Sequence, residues 1–141
     1  MARNTILTIE GSNGISYLMS TVLGKDYAVT SVKTFSDAVS HLQTNLNKDI
    51  IILDIADSNS DNYELLEHIN SSAILKNIRT IVISNSDDES LKSKTAALGA
   101  SYFLRKPFDP VHLSEKVKDL IDADGKKLIQ KKKYTFNMNI F

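Results

Sequence analysis

Ile50-Ile51-Ile52-Leu53-Asp54 sets four aliphatic residues in a row and ends them on one carboxylate. A strand with one wetted face alternates apolar and polar residues, so an unbroken aliphatic run belongs to a strand covered on both faces, as in a parallel sheet. Four more strand-like segments surround it, at Thr5–Glu10, Tyr27–Val32, Thr80–Ser84 and Tyr102–Leu104. After each comes a stretch with apolar residues at helical intervals. These are Ile15, Leu18, Met19, Val22 and Leu23, then Ala38, Val39, Leu42 and Leu46, then Leu65, Leu66 and Ile69. Leu91, Ala96, Ala97 and Leu98 follow, and finally Leu113, Val117, Leu120 and Ile121. Strand then helix, five times over, reads as a doubly wound α/β domain.

Capping chemistry marks the boundaries. Thr34/Asp37, Asp61/Glu64 and Ser86/Glu89 each place an oxygen acceptor three residues before a carboxylate, Asp109-Pro110 opens a further helix, and Ser12 or Asn13 caps the first. Gly24, Gly99 and Gly125 stand where helices stop, at the position that favours a left-handed backbone.

The 141 residues suit one domain with a real core, at 42% hydrophobic and 24% charged. No apolar run is long enough to span a bilayer, and the start lacks the pattern of a secretory signal, which sets a cytoplasmic expectation. With no cysteine, disulfide scaffolds and thiol chemistry are excluded. The formal charge of zero hides an asymmetry: 17 acids against 12 basic residues give the body −5, and five lysines from Lys126 to Lys133 give the tail +5. An acidic body argues against nucleic acid as a direct ligand.

In a doubly wound sheet, ligands lie beyond the carboxyl ends of the strands. Those ends carry Glu10, Asp54, Ser84 and Lys106. Each alone has an ordinary structural use, as turn residue, cap or solvated charge, but two acids, a hydroxyl and an ammonium at one edge form a chemical constellation. Together with Ile51-Ile52-Leu53-Asp54-Ile55, Asp61-Asn62-Tyr63-Glu64-Leu65-Leu66, Gly99-Ala100 and Phe103-Leu104-Arg105-Lys106-Pro107-Phe108, they resemble the receiver domain of two-component response regulators, over roughly Asn4 to Asp122.

The resemblance implies a flavodoxin-like (βα)5 receiver fold, an α/β architecture with a doubly wound five-stranded parallel sheet. It places the receiver domain in residues 1–124. The basic segment 125–141 falls outside the receiver pattern and reads either as a linker to an output domain absent from this chain or as a disordered tail. The alternation of Tyr134, Phe136, Met138 and Ile140 also suits a docked strand. The resemblance further implies that Asp54 accepts a phosphoryl group from a histidine kinase or phosphotransfer protein. Mg²⁺ would be held by Glu10, Asp54 and the backbone carbonyl of Ala56, and Lys106 and Ser84 would bind the phosphoryl oxygens. Ser84 and Phe103 would switch a face read by a downstream effector protein, an output domain or a second copy in a homodimer. Such a protein signals rather than turns over substrate.

The sequence also departs from the family pattern. Where the family has two adjacent acids after its first strand, Gly11 replaces the second, which removes a metal ligand. Asn85 follows the switch hydroxyl where Ala or Gly is common, Ser58 stands for a proline, and Asn62 for a glycine. Asp57 either faces solvent or lends charge to a rearranged metal site. A second reading is therefore a degenerate receiver that acts as a phosphorylation-independent interaction module. A third takes Gly11-Ser12-Asn13-Gly14 as a phosphate cradle in a nucleotide- or flavin-binding domain. It lacks the full glycine fingerprint, and Val32-Lys33-Thr34 offers no ribose-binding acid.

Overall fold

A computed structural model describes residues 3–45 and 47–123. Five strands, β1 (Thr5–Ile9), β2 (Ala28–Val32), β3 (Ile50–Asp54), β4 (Arg79–Ser84) and β5 (Tyr102–Arg105), form one parallel sheet in the order β2-β1-β3-β4-β5. Between them run α1 (Asn13–Leu23), α2 (Phe35–Thr44), α3 (Asp61–Ser71) and α4 (Glu89–Ala97), and residues 110–123 form α5.

The two-residue period of the strands sorts the core into two layers. Leu7, Ile9, Ile51, Leu53 and Val82 point to the face covered by α2, α3 and α4, where Ala38, Leu42, Leu65, Leu66, Ile69 and Leu91 meet them. Ile6, Ile50, Ile52, Ile81, Ile83 and Leu104 point the other way, onto Met19 and Leu23 of α1 and Leu113, Val117 and Leu120 of α5. All four aliphatic residues of β3 are fully buried, as a central strand covered on both faces requires. The chain runs outward from β1 to β2, then returns past β1 to β3, so the winding direction reverses between the carboxyl ends of β1 and β3.

Several local expectations are corrected. Glu10 lies just beyond β1, although its N–H still bonds the Val32 carbonyl at 3.1 Å. The N-cap of α3 is Ser60, whose hydroxyl accepts from Tyr63 N, and Asp61 is already inside the helix. The N-cap of α4 is Asp88, accepting from Ser90 N at 2.8 Å, while Ser86 caps the turn before it. Thr34 and Ser12 do cap α2 and α1, and Asp109 Oδ1 accepts from Val111 N at the start of α5.

Gly24 is right-handed, with φ −66°, and its lack of a side chain avoids a collision with the Ser20 carbonyl. Gly99, at φ +90°, has the left-handed backbone expected of it. On α4 the buried positions are Leu91 and Thr95, whereas Ala96 and Ala97 are exposed. Leu46, Gly125 and the alternating segment Tyr134–Phe141 lie outside the described residues.

Candidate functional site at the carboxyl edge of the sheet

Asp54 is the last residue of β3, held in register opposite Ile83, and its side chain keeps 22% of its surface exposed. Lys106 follows β5, where its N–H donates to the Ser84 carbonyl at 2.7 Å and its bond to Pro107 is cis. From there the Lys106 ammonium reaches back across the sheet edge, and Nζ donates to Asp54 Oδ2 at 2.8 Å. Glu10 completes the cluster with its carboxyl only 2% exposed.

Glu10 divides its two oxygens. Oε1 accepts from the Ser12 N–H at 2.9 Å, bending the acid over the start of α1. Oε2 is buried without a hydrogen-bond donor among the described residues and has the Lys106 ammonium 3.5 Å away. That distance gives electrostatic attraction but not a well-formed charge-assisted bond. Burial pushes the Glu10 carboxyl above its usual range, the Ser12 N–H opposes this, and the neighbouring Asp54 carboxylate adds to the rise. For Lys106, burial disfavours the charge, but hydrogen bonding and attraction to Asp54, with help from Glu10, raise its pKa on balance.

Ser84 closes β4 fully buried, and its Oγ accepts from Ser86 N at 3.1 Å, leaving the hydroxyl proton available. Phe103 is half-buried against the Leu53 and Val82 layer. Its ring lines a cleft of about 170 Å³ between β5 and the β4–α4 loop, with Ser86, Lys92 and Arg105. Arg105 pairs with Asp87 across that cleft. Ala56 is exposed two residues beyond Asp54. Asp57 is a turn residue, since its Oδ1 accepts from Asn59 N at 2.8 Å and its carbonyl from Ser60 Oγ at 2.9 Å.

Glu10, Asp54 and Lys106 are thus in mutual reach, and Ser84 is joined to Lys106 through the main chain. A contact not foreseen from the sequence is made by Asn62, whose Nδ2 donates to the Asp54 carbonyl at 2.8 Å. The only signal was a side chain where the family pattern has glycine.

The sequence model of the response regulator receiver domain matches residues 6–118. The chain belongs to this family. Solved receivers share its fold. A response regulator from Thermotoga maritima is 21% identical, with 85% of this chain and 98% of that chain covered and a TM-score of 0.76. The chemotaxis response regulator CheY4 of Vibrio cholerae is also 21% identical, over 84% and 99%, with a TM-score of 0.75. The signal receiver domain of a signal transduction histidine kinase from Syntrophus aciditrophicus is 26% identical, over 85% and 91%, with a TM-score of 0.75.

Receiver domains are signalling modules of two-component systems, and they typically bind Mg²⁺ at an acidic site. The donor set of this receiver fits such an ion. Among the described residues Glu10 Oε2 is a buried oxygen without a donor, Asp54 supplies a second hard carboxylate, and Ala56, two residues further on, carries the third candidate oxygen in its carbonyl. Gly11 adds no third charge, and a Cβ built there meets nothing within 4 Å. No helix among the described residues is long and apolar enough to cross a membrane.

Proposed function

We propose that this receiver accepts a phosphoryl group on Asp54 from a histidine kinase or phosphotransfer protein and so switches a protein-interaction face. The observation that carries the reading is the 2.8 Å bond from Lys106 Nζ to Asp54 Oδ2 at a partly exposed strand end. Lys106 engages one oxygen of the acceptor carboxylate and so fixes its orientation for attack. It also presents a positive charge where the incoming phosphoryl oxygens gather.

The Asp54 oxygen forms a P–O bond as the P–N bond of a phosphohistidine breaks. The imidazole leaves with the bond's electron pair and takes a proton from solvent. Glu10, Asp54 and the Ala56 carbonyl would hold Mg²⁺, which when bound offsets the charge spread over the transferring group. After transfer, the free hydroxyl proton of Ser84 donates to a phosphoryl oxygen. This draws on the β4–α4 loop, and the cleft beside Phe103 gives its ring room to follow. The Arg105–Asp87 pair, exposed on both sides, is a weak restraint on that movement.

Borohydride reduction after treatment with acetyl phosphate tests the assignment, because it converts an aspartyl phosphate to homoserine. Peptide mapping is expected to find homoserine at position 54. Homoserine at another aspartate only, or 2-amino-5-hydroxyvaleric acid at a glutamate, would give the acceptor role to that residue.

A further inference from the structure

We infer that Asn62 is a positioning residue for the Asp54 acceptor, bracing the strand end and the loop that follows it. The inference rests on the proposed acceptor role and goes beyond it to a residue outside the charged cluster. Adjacent residues of a strand face opposite neighbours, and Ile55 N bonds the Ile83 carbonyl on the β4 side, so the Asp54 carbonyl faces β1. There the ladder stops at Ile9 opposite Leu53, one residue short. The carbonyl of the acceptor itself is therefore the first group beyond the sheet. Asn62 supplies a donor from the first turn of α3, at 2.8 Å. Because a carbonyl only accepts, the amide nitrogen and not its oxygen must face it.

The bond closes a ring from Asp54 to Asn62 around the β3–α3 loop. Inside that ring the chain from Ala56 to Asn59 is exposed and is held by the turn that Asp57 makes with Asn59 and Ser60. The loop has Ser58 where a proline would stiffen it and Asn62 where a glycine would offer no side chain. A side-chain brace thus takes over the task of fixing the loop, and with it the direction in which the Asp54 carboxyl leaves the strand.

Asn62→Ala and the near-isosteric Asn62→Asp, which cannot donate, test this in the full chain. Backbone amides of residues 55–60 are expected to exchange about fivefold faster in both, the population change for one lost hydrogen bond of ordinary net strength. Exchange in β1, β3 and β4 stays unchanged. The rate of phosphoryl uptake from acetyl phosphate at saturating Mg²⁺ is expected to fall roughly three- to tenfold. Val117→Ala, which destabilises the opposite face of the sheet, serves as the control and retains the wild-type rate. Unchanged loop exchange in both variants would overturn the brace, and faster exchange with an unchanged uptake rate would overturn its part in the chemistry. Should wild type take up no phosphoryl group, the acceptor role fails on its own while loop exchange still decides the brace.

Discussion

Lys106 Nζ lies 2.8 Å from Asp54 and 3.5 Å from Glu10, so one ammonium serves two carboxylates and leaves the site with a formal charge of −1. Removing it strands two neighbouring acids, one of them 2% exposed, and breaking a pair of this kind is strongly destabilising. Lys106→Met is expected to lower stability by about 2–3 kcal/mol, read as a reduced urea midpoint with an unchanged slope. A loss within error would mean that the ammonium does not hold the acids in solution. The reciprocal change is at Gly11, which has no positive φ and open space where a side chain would begin. Gly11→Asp is expected to fold normally and to bind Mg²⁺ about tenfold more tightly by calorimetric titration, since each carboxylate helps to displace the ion's water shell. Equal affinities would show that the position does not address the metal.

The helices separate what was visible from composition from what depended on local geometry. Thr34 caps α2, its hydroxyl accepting from Asp37 N at 3.1 Å, and Thr34→Ala should lower stability by about 1 kcal/mol. Asp61→Asn should change it little, because Ser60 carries the α3 cap. Chemical denaturation of both variants checks the one-residue correction, and a large loss in Asp61→Asn would contradict it. The same spacing of an oxygen three residues before an acid thus gave a true cap at Thr34 and displaced ones at Asp61 and Ser86. Neighbouring serines and aspartates compete for the role, and the backbone path chooses between them.

On α2, His41 Nε2 is buried without a hydrogen-bond partner among the described residues, and burial, with Lys48 nearby, lowers its pKa below the usual 6.5. The unfolded chain therefore takes up this proton more readily than the native one. The resulting stability is complete above pH about 6.5 and is lost as pH falls through the lower native value. His41→Gln is expected to remove that acid-side slope from urea midpoints measured across the range. An unaltered slope would exclude His41 as its source.

At the scale of the molecule, sheet order does most of the functional placement. The reversal between β1 and β3 brings Glu10 beside Asp54, and β4 and β5 deliver Ser84 and Lys106 to the same edge. That much was legible, because strands such as Ile50–Leu53 must be covered on both faces and the polar residues at their ends therefore share one edge. Thr95 was not, since a buried threonine satisfied by the Lys92 carbonyl reads as surface in a short polar helix. Nor was the Asn62 brace, which needs the path of a loop across eight residues. The depth of Glu10 followed from its folding back onto Ser12 N, a contact set by the turn after β1. Asp54 is proposed to accept phosphoryl groups with Glu10 as the one acid after β1. Intact mass after incubation with acetyl phosphate, with and without Mg²⁺, tests it in wild type and Asp54→Asn. A single Mg²⁺-dependent phosphoryl adduct on wild type and none on the variant is the result predicted. Equal labelling of the two proteins, or none on wild type with Mg²⁺ saturating, would contradict it.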